Sequence, residues 1–415
     1  MPSFRALFVT AATVIAALSV AGNALALPHS NLKGLGSTHV CSLSSSFAAC
    51  DAWVVNTSAG KPLTSKATAI AGYYPANLDS AYDLPTTGGA GQTVALIDAY
   101  NDPNAAADVA TYRSEFGLSK LATCTITSGK LKSPGGPCFT KVSQTGSTST
   151  LGLPLRNASW AVEESLDIEM VSAICQSCNI VLVEAKSASD ANLGTAVNEA
   201  ASLGATEISN SYGGSESSSD LSYDTEYYHH PGIAITASAG DSAYGVEYPA
   251  ASQYVTAVGG TTLSTASNTR GWTESAWDDS GSGCSADDAQ PAWQSALSNI
   301  TSVCSKRAVA DVSAVADPNT GVAIYDSTSY EGYSGWYVVG GTSVASPIIA
   351  SVYALAGNAA TVSYGSYPYS HTSSLYDVTS GSNGSCGNDL CNSTTGWDGP
   401  TGLGTPDGTG AFSAA

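Results

Sequence analysis

Short, unbroken apolar runs recur along the chain from about residue 90: Thr93 to Ala99 (TVALIDA), Ile180 to Glu184 (IVLVE) and Gly232 to Ala237 (GIAITA). Runs of this length without polar alternation fit strands buried on both faces, as in a parallel sheet. Between the last two lies a helical stretch, with Asp190 placed to cap it and Gly204 to end it after Leu203. Strand, helix and strand in that order imply right-handed crossovers and a parallel sheet with helices on both faces. Two further segments read as helices. Ser159 to Ile174 (SWAVEESLDIEMVSAI) carries Val162, Leu166 and Met170 as an apolar stripe toward the sheet. Trp336 to Ala350 (WYVVGGTSVASPIIA) runs as a strand into a glycine turn and then into an apolar helix with Pro347 in its first turn. Residues 27 to about 70 are rich in Ser, Ala and Gly and show little periodicity.

The first residues read as an export signal: Arg5, the apolar run Ala6 to Val20, and a small-x-small site at Ala24-Leu25-Ala26. That run is shorter than the ~20 residues a membrane span needs. The expected organisation is therefore a signal peptide (1–26), a short leader or extension (27–69) and a single large domain (70–415), secreted and extracellular. Formal charge is −20 with only 14 Lys plus Arg. Such a surface repels phosphate backbones and anionic lipid, so neither nucleic acid nor membrane is an expected partner. A monomer is expected. Ten cysteines in an exported chain argue for disulfides. Sequence does not fix their connectivity; pairing of neighbours (Cys41/Cys50, Cys124/Cys138, Cys175/Cys178, Cys284/Cys304, Cys386/Cys391) is the expectation. The C-x-x-C of Cys175 and Cys178 lacks a second pair or His at zinc spacing, which favours a small structural loop over a metal or redox site.

Candidate chemistry gathers at strand ends, where open α/β sheets place it. Ser343 follows Gly340-Gly341-Thr342 at the start of a helix, where its hydroxyl is presented and a backbone N–H can hold an oxyanion. A Ser that only caps a helix fits that pattern equally well. Glu163 and Asp167 are one helical turn apart, so their carboxylates can meet; an ordinary acidic helix face, to which Glu164 and Glu169 would belong, is the plain alternative. Asp241 lies in ASAGDSAYG just after a strand, as a turn cap or as a protonated donor to an oxyanion. None of His29, His39, His229, His230 and His371 sits in an H-G-T-H-type segment, and His229-His230 reads as a surface turn.

The run G-T-S-x-x-S-P after a strand resembles the nucleophile segment of subtilisin-like peptidases, and of the sedolisins, the serine-carboxyl peptidases, in particular. The Glu163/Asp167 spacing, Asp241 in its segment, and the order of all four residues extend that resemblance over about residues 70 to 415. It implies a subtilisin-like three-layer α/β fold with a mostly parallel central sheet. It also implies a secreted, acid-acting endopeptidase for protein or peptide substrates. Ser343 would be the nucleophile, Glu163 its base, Asp167 the residue that orients Glu163, and Asp241 an oxyanion donor. By the same resemblance Ser211, Tyr212 and Gly213 would pair with substrate backbone. Asp377, Asp398 and the carbonyls of Val378, Thr394 and Gly396 would hold one Ca²⁺. Two departures from the resemblance stand out: about forty residues follow the expected signal where the family usually carries a long folded prodomain, and Asp98 occupies the place of a subtilisin triad Asp. Asp98 could be a relic, a turn residue or a second tuning acid; a turn residue is the expectation. The alternatives are a non-catalytic peptide- or surface-binding pseudo-peptidase, and a conventional subtilisin using Asp98 with one of the five histidines.

Overall fold

The computed structural model describes residues 32, 34–44, 46–66 and 69–413. The expected export signal lies outside them. The elements that matter to function are strands β1 (Ser37–His39), β2 (Ala49–Cys50), β3 (Trp53–Val55), β4 (Thr93–Ala99) and β5 (Cys138–Ser143), followed by helix α1 (Ala158–Ile174). Then come β6 (Asn179–Ala185), α2 (Asp190–Leu203), β7 (Glu207–Asn210), β8 (Tyr212–Ser215), β9 (Ala234–Ser238), β10 (Thr256–Thr265), β11 (Trp272–Ala276), β12 (Val312–Val315), β13 (Val322–Tyr330), β14 (Tyr333–Gly340) and α3 (Thr342–Ala356).

The main sheet runs β11-β10-β9-β7-β4-β6-β5 and ends on Ala122–Thr123, with β12 also against β10. All its pairings are parallel except β10–β11. This is the expected fold class, a subtilisin-like α/β sheet with helices on both faces. Its central strands are buried at every position because helices cover both sides. Helix α2 packs over β6 and β4, while α1 and α3 pack against each other and lie over the sheet.

Two local expectations change, and one alternative falls. The cap of α2 is Ser189, whose side chain accepts from the Asn192 N–H, one residue before the expected Asp190; Gly204 closes the helix in the left-handed region at φ 94°. Pro347 sits in the second turn of α3, not the first. It cannot donate to the Ser343 carbonyl, which is instead approached by the Ser211 hydroxyl at 3.4 Å. Helix α1 has no solvated acidic face: every residue from Trp160 to Ile174 is buried. The sheet, α3, β13 and helix Ala105–Glu115 surround it, so its acids are held inside.

All five disulfides join sequence neighbours. The described residues between 37 and 65 are not loose. A second sheet runs β1-β3-β14-β13, with Thr64–Ser65 also against β14, so this segment is built onto the strand that leads to Ser343.

Candidate active site

Asn157 starts α1 by accepting the N–H groups of Ser159 and Trp160 at 3.0 and 3.3 Å. One and two turns on, Glu163 and Asp167 reach the carboxyl end of β4, where Asp98 projects. Each of the three supplies an oxygen, and these oxygens lie within 4.8 Å of one another. Asp98 is thus not a turn residue. It is an internal strand position, fully buried, in register with Glu184 of β6. The signal was present in the sequence: an acid inside an apolar run is costly unless something in the fold uses it or neutralises it.

Ser343 is the second residue of α3. The turn before it needs Gly341, at φ 104°; a Cβ there would stand 2.1 Å from the Asp51 carbonyl oxygen and 2.6 Å from Asp241 Oδ2. The Ser343 hydroxyl donates to the Ser211 carbonyl at 3.1 Å. The Ser211 hydroxyl donates to Asp167 Oδ1 at 2.7 Å, tying the acid helix to the nucleophile's turn. Both Glu163 oxygens lack a hydrogen-bond partner in this arrangement. Ser343 is nonetheless close enough that its hydroxyl favours the charged form of Glu163.

Asp241 faces the same turn from the end of β9. Its Oδ1 accepts the Thr342 N–H at 2.8 Å and the Thr342 hydroxyl at 2.7 Å, and its Oδ2 has no partner. Burial holds the Asp241 carboxyl well above the usual range, and the charges of Glu247 and Asp279 add to this against the Thr342 hydrogen bonds. Burial likewise raises Glu163, with Asp167 and Asp98 pushing the same way. Asp167 is raised by burial and then by Asp98. Asp98 is pushed up to about 8 by burial and by Glu184. The cluster can therefore hold protons that exposed carboxyls would lose. Being coupled, it titrates as a unit rather than residue by residue.

The segment expected to pair with substrate backbone, Ser211, Tyr212 and Gly213, is already paired. Tyr212 and Gly213 face Cys50 and Ala49 of β2 in antiparallel register, and Ser211 O accepts the Asp51 N–H at 3.3 Å. Tyr212 itself points inward, its hydroxyl on Asn210 Oδ1 at 2.8 Å. Asp51 is the residue that sequence reading missed altogether: its flanks show no periodicity, and only the tertiary fold brings it here.

The residues of the expected calcium site converge in the C-terminal loops. Asp398 is fully buried and accepts from Thr394 N at 3.0 Å, Thr401 N at 2.9 Å and Thr401 Oγ1 at 2.8 Å. Asp377 Oδ2 accepts the Gly396 N–H at 2.9 Å, and Val378 is buried beside it. Burial pushes Asp398 up to about 7, with the Asp377 charge contributing. Among the described residues no Lys or Arg pairs with either acid. Two neighbouring carboxylates without a basic partner, on a glycine-bearing loop, suit a hard dication.

A family model, the Subtilase family, matches residues 155–371, a little over half of the chain. The chain belongs to the subtilase family. Its likenesses include sedolisins. Sedolisin from Pseudomonas sp. (strain 101) is 38% identical over 184 residues, covering 40% of this chain and 30% of that protein. Kumamolisin from Bacillus sp. (strain MN-32) is 29% identical over 388 residues, covering 83% of this chain and 64% of that protein. The matches thus span less than two thirds of either relative. Among solved structures, Pseudomonas sedolisin, a serine-carboxyl proteinase complexed with two molecules of pseudo-iodotyrostatin, superposes with a TM-score of 0.65 at 26% identity. That likeness covers 81% of this chain and 96% of the other. Against this subtilase frame, the groups that set the charge of Glu163 are carboxyls and a hydroxyl, not an imidazole. Among the described residues no helix is long and apolar enough to cross a membrane.

Proposed function

We propose that this subtilase is a secreted, acid-acting serine-carboxyl endopeptidase of protein or peptide substrates. The observation that carries the reading is the convergence of Ser343, Glu163, Asp167 and Asp241 on one buried cleft beyond the strand ends. Ser343 Oγ attacks a peptide carbonyl while Glu163 takes its proton. Asp167, fixed by the Ser211 hydroxyl, orients Glu163. The developing oxyanion lies between the Ser343 N–H and Asp241 Oδ2, and Asp241 donates there when its carboxyl carries a proton. Glu163 then protonates the leaving amine, and water repeats the cycle on the ester. A carboxylate base keeps working in acid, where an imidazole would be protonated.

The same reading gives Asp377, Asp398 and the carbonyls of Val378, Thr394 and Gly396 to one Ca²⁺, which would neutralise the two acids and brace the C-terminal loops. Chelation should lower Tm by several degrees; an unchanged Tm rejects the ion.

One observation favours the pseudo-peptidase alternative: residues 48–51 fill the cleft. The decisive measurement is cleavage of denatured protein between pH 3 and 5 by wild type and Ser343→Ala. Activity in the wild type alone upholds the enzyme. Equal activity in both removes it.

A further inference from the structure

A second group of carboxylates takes no part in the proposed chemistry. Asp102 follows β4 in the chain, Asp108 stands in the first turn of helix Ala105–Glu115, and Asp326 lies within β13. Both the helix and β13 pack against α1. Asp102 and Asp326 are fully buried, and Asp108 is 2% exposed. Each offers an oxygen, and these oxygens lie within 4.8 Å of one another.

Neighbouring donors occupy one oxygen of each acid. Asp102 Oδ1 accepts from Asn104 N at 2.9 Å and from the Thr328 hydroxyl at 2.8 Å. Asp326 Oδ1 accepts from Thr328 N at 2.6 Å, and Asp108 Oδ2 from the N–H and hydroxyl of Ser327 at 2.9 and 3.1 Å. The second oxygens of Asp102 and Asp326 are buried with no donor at all. Lys141 is the base nearby, but its ammonium donates to Asn101 Oδ1, the Asp102 carbonyl and Glu184 Oε1. Among the described residues no Lys or Arg pairs with the three acids. From α1, Glu164 and Glu169 add further carboxyls: Glu164 Oε2 accepts the Asp102 N–H at 2.9 Å, and Glu169 Oε2 accepts the N–H of Tyr325, beside Asp326. Buried carboxylate oxygens without a donor are unfavourable, and a bound cation removes that penalty directly.

We propose that Asp102, Asp108 and Asp326 hold one Ca²⁺, at a site that shares no residue with the C-terminal pair Asp377 and Asp398. Carboxylate oxygens this close can all reach one ion at ~2.3–2.6 Å, with water completing the shell. Mg²⁺ suits an enclosed cluster poorly, because it dehydrates reluctantly and keeps several waters. In the empty cluster protons neutralise the acids, and the ion displaces them on binding. The ion pins three segments together: the loop that leaves β4 beyond Asp98, helix Ala105–Glu115, and β13. Through the Asp102 N–H on Glu164, the neighbour of Glu163, the brace extends to α1. Its role is stability rather than chemistry.

The test strips the full chain with EDTA and titrates it with Ca²⁺ at pH 8 by calorimetry. Asp377→Asn is placed in the background to weaken the C-terminal site. The expected result is one Ca²⁺ per chain, with affinity falling roughly tenfold or more when Asp326→Asn is added. Thermal unfolding gives a second readout: Ca²⁺ raises the Tm of the Asp377→Asn chain by several degrees, and adding Asp326→Asn abolishes the rise. In EDTA the same substitution leaves Tm as high or higher, since the amide keeps an acceptor for Thr328 and offers Asp102 a donor. If Asp326→Asn does not fold, Asp108→Asn is read in the same way. An Asp377→Asn chain that binds no Ca²⁺ overturns the inference. Binding that Asp326→Asn leaves unchanged overturns it too, since the ion then sits elsewhere.

Discussion

Two buried charged regions of this molecule solve the same problem in opposite ways. Around α1, carboxyls face carboxyls: Glu163, Asp167 and Asp98 share a cluster, and Glu164 and Glu169 are buried on the same helix. Many of their oxygens lack a donor, and Lys141 on Glu184 at 2.9 Å is the nearby ion pair. Around Arg307, a buried carboxylate has a full set of donors. Arg307 reaches both oxygens of Asp311 at 2.8 and 2.5 Å, and Tyr369 OH, Gln294 Nε2 and Ala257 N complete the set. Burial opposes the Arg307 charge, but Asp311 more than reverses that and holds the guanidinium firmly protonated. One region is neutralised by protons, which depend on pH, and the other by a counter-ion, which does not. A buried carboxyl needs no cation if the working solution supplies the proton.

The largest effect expected on the proton-neutralised side is catalytic. Glu163→Gln should lower kcat by about 10⁴-fold or more, because base and nucleophile act as a unit; a loss of less than tenfold would mean that the acid cluster is not the base. On the other side, Arg307→Met leaves Asp311 buried without its counter-ion. Denaturant unfolding should show a loss of about 3–5 kcal/mol, nearly equal at pH 5 and pH 8. A loss confined to one pH would erase the contrast.

Next comes the pH dependence of wild-type stability. Asp98, Glu207 and Asp326 are pushed up to about 8, and Asp79 and Glu184 to about 7, each first by burial. An acid whose folded pKa is raised binds its proton more tightly in the fold than in the unfolded chain. Its contribution is whole below about pH 4 and is lost as pH climbs through the folded values, flattening above about 8. Tm should therefore fall steadily between pH 4 and 8. A Tm that rises over this window would contradict the protonated core.

The smallest effect is the most selective. Glu169 accepts the Tyr325 N–H at 2.8 Å, and its carboxyl is raised by burial against that bond. Glu169→Gln keeps an acceptor and removes the ionisation. Stability at pH 4 should change by less than about 1 kcal/mol, while at pH 8 the variant should gain about 1 kcal/mol. Equal effects at both pH values would show that Glu169 is not protonated in the fold.

How much of this was legible before folding depends on the range of the interactions. Continuous apolar runs marked β4, β6 and β9 to within two residues, because a strand covered on both faces has no polar side to show. The glycine turn before Ser343 and the one-turn spacing of Glu163 and Asp167 were equally local. The sequence by itself thus determined the sheet, the nucleophile's turn and the pairing of two acids on one helix. It did not determine that Asp98 joins them, that α1 is buried all round, or that Asp51 lies against Ser343. Those facts depend on segments far apart in the chain meeting beyond the carboxyl ends of the strands. Neither propensity nor spacing encodes such a meeting; only the packed core decides which distant groups share the same low-dielectric space.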